Sequence, residues 1–158
     1  MMKLIHKFEI FAEYFQFILM DESSEDDFSA VWNDEASERM LAVGETSVCL
    51  GTLRNITVPI AIHVSQTEPQ INIQEVDHAV SASLNIPSGR LAIMSCTDYL
   101  PNAVRIDLLA GTYHLMYLVT GLDSITDETA PADDHYIIHI WPGSPQEPTL
   151  LKHWRSHI

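Results

Sequence analysis

Residues 76–86 of this chain alternate between apolar and polar side chains, and this alternation constrains the fold more than any other feature. Successive side chains of an extended strand point to opposite faces of its sheet. The segment is therefore predicted to be a strand with one face in the core and the other in water. The apolar face consists of Val76, Val80, Ala82, Leu84 and Ile86, and the polar face of Asp77, Ser81, Ser83 and Asn85.

Further strand-like runs fill most of the chain. Residues 8–20 are rich in aromatic and β-branched side chains and are predicted to form one long strand that crosses a whole sheet. Two connections, residues 86–91 and 108–113, place Gly89 and Gly111 where a hairpin or a corner between strands requires a positive φ angle. The other predicted strands are residues 47–54, 56–64, 75–86, 90–97, 104–109, 113–119 and 135–141.

One short helix is predicted near residues 34–43. Asn33 or Asp34 can cap its first turn, and Gly44 follows as a stop signal. Apolar residues recur at helical spacing at Ala36, Met40 and Val43. A series of strands with short turns and a single helix predicts a mostly β domain, an antiparallel two-sheet β-sandwich rather than a barrel.

The size and composition predict one domain with a packed core. The chain has 158 residues, a mass of 17.8 kDa and 46% hydrophobic residues, so a single domain over residues 1–158 accounts for it. A proline-rich C-terminal extension is expected from about residue 142. Cys49 and Cys96 lie in strand-like runs, so buried free thiols are favoured over a disulfide. Acidic residues interrupt the apolar N-terminus, and we expect a cytoplasmic protein without a signal peptide or membrane span.

The chain is strongly acidic. Its 22 Asp and Glu residues against 8 Lys and Arg residues give a formal net charge of −14. Nucleic acids and anionic membranes are bound by surfaces rich in Lys and Arg, so direct binding to either is not expected. A basic protein partner is favoured instead. The alternative is that the acidic charge only keeps the protein in solution.

Much of this acid is concentrated in two segments, acidic loop one (residues 21–27) and acidic loop two (residues 123–134). If the loops meet at one end of the sandwich, with Asp34 and Glu35 nearby, they form a negative rim that can imitate the phosphates a basic cleft receives. A solvated, repulsive loop surface is the alternative. The predicted partner-binding residues are Asp21, Glu22, Glu25, Asp26, Asp27, Trp32, Asp34, Glu35, Asp123, Asp127, Glu128, Asp133 and Asp134.

No pattern in the sequence indicates catalysis, a metal or a cofactor. There is no nucleophile elbow of the GxSxG type, and the 8 histidines lack metal-binding spacing. His135 and His139 would stand about 13 Å apart along a strand, too far to share one metal. The run at 123–128 lacks the glycine and terminal glutamate of an EF-hand calcium loop. We therefore predict a protein without enzymatic activity, metal or cofactor.

The order of several short motifs resembles the competence protein J family. The motifs are YFQF at residues 14–17, WNDEASER at 32–39, RN at 54–55, LAGTYHL at 109–115 and DHYII at 134–138. The founding member of that family is described as an inhibitor of a nuclease that acts on DNA as it enters the cell. The resemblance implies a protein–protein activity, namely occupying a nuclease and blocking its access to DNA.

The favoured function is therefore that of a non-enzymatic nuclease inhibitor or immunity-like protein, which uses its acidic loops to block a basic partner. Trp32 and Tyr99 are candidate aromatic anchors. A small-ligand module that binds carbohydrate on one sandwich face is the alternative, and it requires several exposed aromatic side chains in a row. A hydrolase or metalloenzyme would require His, Asp and Glu side chains to converge in one deep pocket.

Overall fold

Two packed β-sheets make up most of the computed structural model, which describes residues 4–154. One sheet has six strands in the order β1-β5-β10-β9-β6-β11, and the other has five in the order β3-β4-β2-β7-β8. The strands are β1 Leu4–Phe11, β2 Gln16–Asp21, β3 Leu41–Val43, β4 Ser47–Gly51, β5 Thr57–Val64, β6 His78–Ile86, β7 Arg90–Met94, β8 Val104–Asp107, β9 Gly111–Thr120, β10 His135–Pro142 and β11 Thr149–Lys152. The α-helix is α1 Asp34–Arg39, and 3-10 turns span Glu13–Phe15, Ile73–Glu75, Leu100–Asn102 and Leu122–Ser124.

The predicted mostly β, two-sheet architecture is confirmed, with one difference in strand direction. The five-stranded sheet is antiparallel throughout, whereas β5 and β10 of the six-stranded sheet run parallel. A parallel pair requires a long crossover connection, and here β6 to β9 lie between the two strands along the chain. Periodicity within single segments carries no information about such a crossover.

The core lies between the two sheets and is centred on aromatic rings. Phe17 meets Tyr117 and Tyr136 edge-on, with ring centroids 6.1 and 6.4 Å apart. The Tyr117 hydroxyl donates to the carbonyl of Gly51 at 2.7 Å, which satisfies the one polar atom of a fully buried side chain. The alternation predicted for residues 76–86 is confirmed from Val80 onward, because the apolar residues of β6 enter this core while Asn85 faces solvent.

The prediction of one continuous strand over residues 8–20 is wrong. β1 belongs to the six-stranded sheet and β2 to the five-stranded sheet, so the chain changes sheets between them. The buried Ala12, whose N–H donates to the Ile56 carbonyl at 2.9 Å, marks the crossing. Immediately after it, Tyr14 and Phe15 have φ angles of 56° and 63°. Aromatic residues rarely occupy this left-handed region, so the sharp turn is a strained one.

Helix α1 begins as predicted and ends earlier. The Asn33 side chain accepts a hydrogen bond from the Ala36 N–H at 2.8 Å, the expected N-cap. The helix stops at Arg39 because Met40 adopts a left-handed C-cap conformation with φ 59°. Leu41–Val43 then forms the edge strand β3, which pairs with β4. Pairing with the sheet therefore overrides the helical spacing of the last predicted turn.

Both predicted glycine connections are corners that carry the chain from one sheet to the other. Gly89, with φ 74°, joins β6 to β7, and Gly111, with φ 152°, joins β8 to β9. The two corners contact each other, since the Leu108 N–H donates to the Gly89 carbonyl at 2.7 Å. Positive φ angles at these positions favour glycine, as the sequence predicted.

Candidate functional site

The two acidic loops lie at opposite ends of the sandwich. β6 and β9 pair antiparallel over nine residues, which is roughly 27 Å along the strands. Acidic loop one contacts the chain just after β6, where the Ser88 N–H donates to Asp21 at 2.9 Å. The residue immediately before acidic loop two contacts the chain just before β6, where the Leu122 N–H donates to Asp77 at 2.9 Å. The loops therefore do not form one shared rim.

Two carboxylates of acidic loop one are bound within the fold. The fully buried Asp21 accepts hydrogen bonds from the backbone and hydroxyl groups of Ser23 and Ser88. Burial raises the pKa of Asp21, but these hydrogen bonds outweigh it, so the pKa lies below its ordinary value. Asp26 is arranged likewise and accepts from the Thr46 N–H at 2.9 Å and the Ser47 hydroxyl at 2.6 Å. Both carboxylates fasten the loop to the five-stranded sheet.

The remaining carboxylates of acidic loop one are more accessible. Glu22 pairs with Arg90 at 3.5 Å and with Arg105 at 3.3 Å. Glu25 and Asp27 are exposed, and Asp27 also accepts from the Ser29 N–H and hydroxyl. This end of the sandwich therefore has two exposed predicted carboxylates, Glu25 and Asp27.

Acidic loop two is held by a buried arginine. Arg54, which is 0% exposed, pairs with Asp134 at 3.1 Å and also donates to the carbonyls of Glu128 and Ala130. Asp134 is 5% exposed and accepts a second hydrogen bond from the Tyr136 hydroxyl. Burial, together with the neighbouring Asp134, raises the pKa of Tyr136. The Arg54–Asp134 pair fixes the shape of the loop, so Asp134 is a structural residue.

The exposed carboxylates of α1 lie at the same end of the sandwich as acidic loop two. Trp154 connects α1 to acidic loop two. Its backbone N–H donates to His78 at 3.3 Å, and its indole N–H donates to Asp123 at 3.1 Å. The other ring nitrogen of His78 donates to the carbonyl of Arg39, the last residue of α1, at 2.6 Å. We define the acidic end as the exposed carboxylates Asp34, Glu35, Glu38, Asp123, Asp127, Glu128 and Asp133.

Few cations neutralise the acidic end. Glu35 lies 4.0 Å from Arg39, and Glu38 lies 3.9 Å from His153. No ion pair involves Asp127, Glu128 or Asp133 within residues 4–154. Because these side chains are exposed, their negative charge projects into solvent.

An exposed aromatic turn lies between α1 and acidic loop two. We define it as Phe11, Tyr14 and Phe15; Tyr14 is 67% exposed and Phe15 42%. Tyr14 and Phe15 line a cleft of about 310 Å³ together with Ser37 and Met40 of the helical segment. A second cleft, of about 340 Å³, joins all three aromatic residues to Asn55, whose N–H donates to the Glu128 carbonyl at 2.9 Å. Aromatic surface and acidic charge therefore adjoin each other.

The sequence did not single out the aromatic turn as a surface, because its residues fitted a buried strand. One signal was available. The run over residues 8–20 is more than twice the usual strand length of about 5–6 residues, which favours a break within it.

The two aromatic side chains predicted as anchors differ in accessibility. Trp32 is partly buried in the same cleft as Tyr14, and its indole N–H donates to the Gln16 side chain at 2.9 Å. Tyr99 is exposed in the segment that follows β7. That segment reaches the aromatic turn, because the Thr97 hydroxyl donates to the Glu13 carboxylate. Trp32 therefore adjoins the aromatic turn directly, whereas Tyr99 lies two residues from the Thr97 contact.

Metal-binding clusters and membrane-spanning helices are both absent from the described part of the chain. Within residues 4–154 no group of three His, Cys, Asp or Glu side chains is arranged to hold a metal ion. No helix among these residues is long and apolar enough to cross a bilayer. Cys49 and Cys96 are free thiols, and burial raises the pKa of Cys49 to about 12.

Comparison with known proteins gives one family and two similar structures. No protein with a curated description matches the chain. The crystal structure of ComJ, inhibitor of the DNA degrading activity of NucA, from Bacillus subtilis, has a TM-score of 0.69 and 20% sequence identity, and the match covers 89% of this chain and 98% of that one. The structure described as crocagin biosynthetic gene J has a TM-score of 0.61 and 17% identity, over 91% of this chain and 100% of that one.

At these identities the two structures establish the fold alone. The family rests on the sequence: the model of the competence protein J family matches residues 9–140, which is most of the chain. This chain therefore belongs to the competence protein J (ComJ) family.

Proposed function

We propose that this protein inhibits a nuclease by binding it through the acidic end, with the aromatic turn as the anchor. The observation that carries the proposal is membership of the ComJ family, together with a fold shared with an inhibitor of a DNA-degrading enzyme. The protein acts by occupying its partner and performs no chemistry of its own.

Electrostatics favours a nuclease as the partner. An enzyme that binds DNA presents Lys and Arg side chains to the phosphate backbone. A protein with a net charge of −14 is attracted to such a surface, and the attraction speeds their encounter. The exposed carboxylates of the acidic end lie at one end of the sandwich and can take the place of phosphates there.

The aromatic turn adds apolar contact area beside the charged groups of the acidic end. Tyrosine and arginine are enriched at the residues that dominate binding energy, and aromatic rings also attract cationic side chains. In the free protein Tyr14 and Phe15 expose their rings on a strained turn. Because the buried Ala12 and the strand β2 hold the turn on both sides, the rings are presented with little conformational freedom, which lowers the entropy cost of binding.

The test compares two double variants with the same change of charge. Glu128→Gln with Asp133→Asn neutralises two exposed carboxylates of the acidic end, and Glu25→Gln with Asp27→Asn neutralises two at the opposite end. Each variant is titrated into the nuclease encoded nearest to this gene, and cleavage of double-stranded DNA is followed at low and high salt. We expect the first variant to weaken inhibition roughly tenfold, mainly through the association rate, and the second to change it less than about threefold.

Equal effects of the two double variants would show that total charge, and not the acidic end, governs binding. Full nuclease activity in the presence of excess wild-type protein would contradict the proposed function itself.

A third variant tests the aromatic anchor separately. Tyr14→Asn removes the ring but keeps a residue that tolerates the left-handed conformation. We expect weaker inhibition at unchanged thermal stability. Unchanged inhibition would exclude Tyr14 from the contact.

The carbohydrate-binding alternative has less support. Among residues 4–154 the exposed aromatic side chains are Phe11, Tyr14, Phe15 and Tyr99, and the last three lie in turns. A sugar-binding face requires such rings in a row along the strands of one sheet. No specific observation therefore favours this second function.

A further inference from the structure

Strand β1 forms an edge of the six-stranded sheet, and within residues 4–154 β5 is its only strand partner. An open edge of eight residues presents unpaired backbone groups that can add another strand. Natural edge strands are usually short, interrupted by proline or charged. β1 has eight residues and no proline, is paired with β5 along its whole length, and carries two exposed charges of opposite sign, Lys7 and Glu9. Its outward face also exposes apolar side chains, with Ile5 50% and Phe11 48% exposed.

We propose that β1 pairs antiparallel with β1 of a second copy of this chain, centred on Phe8. The pairing doubles the six-stranded sheet across a two-fold axis. The occupant of the edge is thus the protein itself. Strand β1 contains none of the carboxylates of the acidic end, and it shares one residue, Phe11, with the aromatic turn.

The charges of β1 select this register. Ile5, Lys7, Glu9 and Phe11 share the outward face, because they pair with alternate residues of β5 and are all exposed. Centring the two strands on Phe8 places Lys7 opposite Glu9 of the second copy, and Ile5 opposite its Phe11. Two ion pairs and two apolar pairs then form by symmetry.

Neighbouring registers lack this match. Outward-facing side chains of the two strands stay opposite each other only when one strand slides past the other by two residues at a time, because successive side chains alternate between the faces. Centring on Lys7 would oppose the two Lys7 residues, and centring on Glu9 would oppose the two Glu9 residues. Like charges directly opposite are destabilising, so the register centred on Phe8 is preferred.

The surroundings of β1 are compatible with such a pair. An apolar groove of about 680 Å³ runs beside its outward face and is lined in part by Ile5, Pro59, Ala61 and Ile137. In the proposed register Phe11 of the second copy lies opposite Ile5, at the border of this groove. The inward-facing Phe8, which packs against the core, would meet Phe8 of the second copy and extend the core across the axis.

Charge reversal tests the pairing and its register together. The mass of the protein alone, without any nuclease, is measured by sedimentation equilibrium over a range of concentrations. As concentration rises, the measured mass of the wild-type protein is expected to approach twice the 17.8 kDa of one chain. Lys7→Glu places Glu opposite Glu, and Glu9→Lys places Lys opposite Lys, so each should raise the dimer dissociation constant roughly tenfold or more. The double variant Lys7→Glu with Glu9→Lys restores opposite charges and should restore the dimer.

Both residues are exposed, so the variants are expected to fold, and circular dichroism checks this. Wild-type protein that remains monomeric at the highest concentration would overturn the proposal. A dimeric wild type with a monomeric double variant would overturn the register. Because the assay contains no nuclease, its outcome is independent of the proposed inhibition.

Discussion

Replacing Arg54 with methionine should destabilise the protein strongly. Arg54 is fully buried, pairs with Asp134 at 3.1 Å and donates to two loop carbonyls. Methionine fills similar space but leaves the Asp134 carboxylate buried with a single donor, the Tyr136 hydroxyl. Breaking a buried ion pair in this way costs about 3–5 kcal/mol. That is a large part of the roughly 5–15 kcal/mol by which domains are stable.

The assay for this prediction is urea unfolding followed by tryptophan fluorescence, with thermal unfolding as a second measurement. For a domain of this size each kcal/mol lost from the free energy of unfolding lowers Tm by about 2–4 °C. The Arg54→Met variant should therefore melt roughly 6–20 °C below the wild type. The matched control is Arg90→Met, which breaks the exposed pair between Arg90 and Glu22. An exposed ion pair contributes about 0.2–1 kcal/mol, and the control should therefore melt within a few degrees of wild type, roughly 0–4 °C.

A double variant identifies the cause of the loss. Arg54→Met with Asp134→Asn removes the unpaired buried charge while keeping an acceptor for Tyr136, so it should be more stable than Arg54→Met alone by about 1–3 kcal/mol. If Arg54→Met cost no more than Arg90→Met, the assignment of Arg54 as the residue that holds acidic loop two would be refuted.

Two further predictions concern the acidic loops. Gly121→Ala should destabilise the protein by more than about 2 kcal/mol, because Gly121 has φ 73° and a Cβ atom there would clash with the Asp133 carbonyl oxygen. Gly111→Ala is also strained, by a φ of 152°, but its Cβ atom would meet nothing within 4 Å, so it should cost less; the reverse order in urea unfolding would contradict this reasoning. Asp21→Asn should lower stability at neutral pH by about 2 kcal/mol through loss of its charged hydrogen bonds. The pKa of folded Asp21 lies below its ordinary 3.8, so the extra stability of the wild type over Asp21→Asn is present above about pH 4 and is lost as pH falls through the folded pKa. If Asp21→Asn lost as much stability as the wild type below about pH 4, Asp21 would be excluded as the source of that pH dependence.

Local features of the chain were predictable because they depend on neighbouring residues. The Asn33 cap, the glycines of the two corners and the alternation of β6 each follow from backbone geometry within a few residues. The family could also be recognised, because its motifs are short contiguous segments kept in order.

The distribution of the strands between the sheets depended on the tertiary structure. Period-two alternation shows which side chains share a face, but it does not show which sheet a strand joins or where the chain changes sheets. The break at Tyr14 and Phe15 follows the buried Ala12, where the chain passes from one sheet to the other, and no local pattern records this passage. The same break turns predicted core aromatics into an exposed surface.

The acidic loops show most clearly which properties the sequence determines and which depend on the tertiary structure. The amino-acid sequence alone determined the net charge of −14 and its concentration in two segments, on which the expectation of a basic partner rests. Which carboxylates are available was decided by donors distant in sequence: Ser88, 67 residues from Asp21, and Arg54, 80 residues from Asp134. A carboxylate is buried only where the fold supplies such donors, because an unpaired buried charge is too costly. Tertiary structure therefore separated the structural acids from those left at the surface.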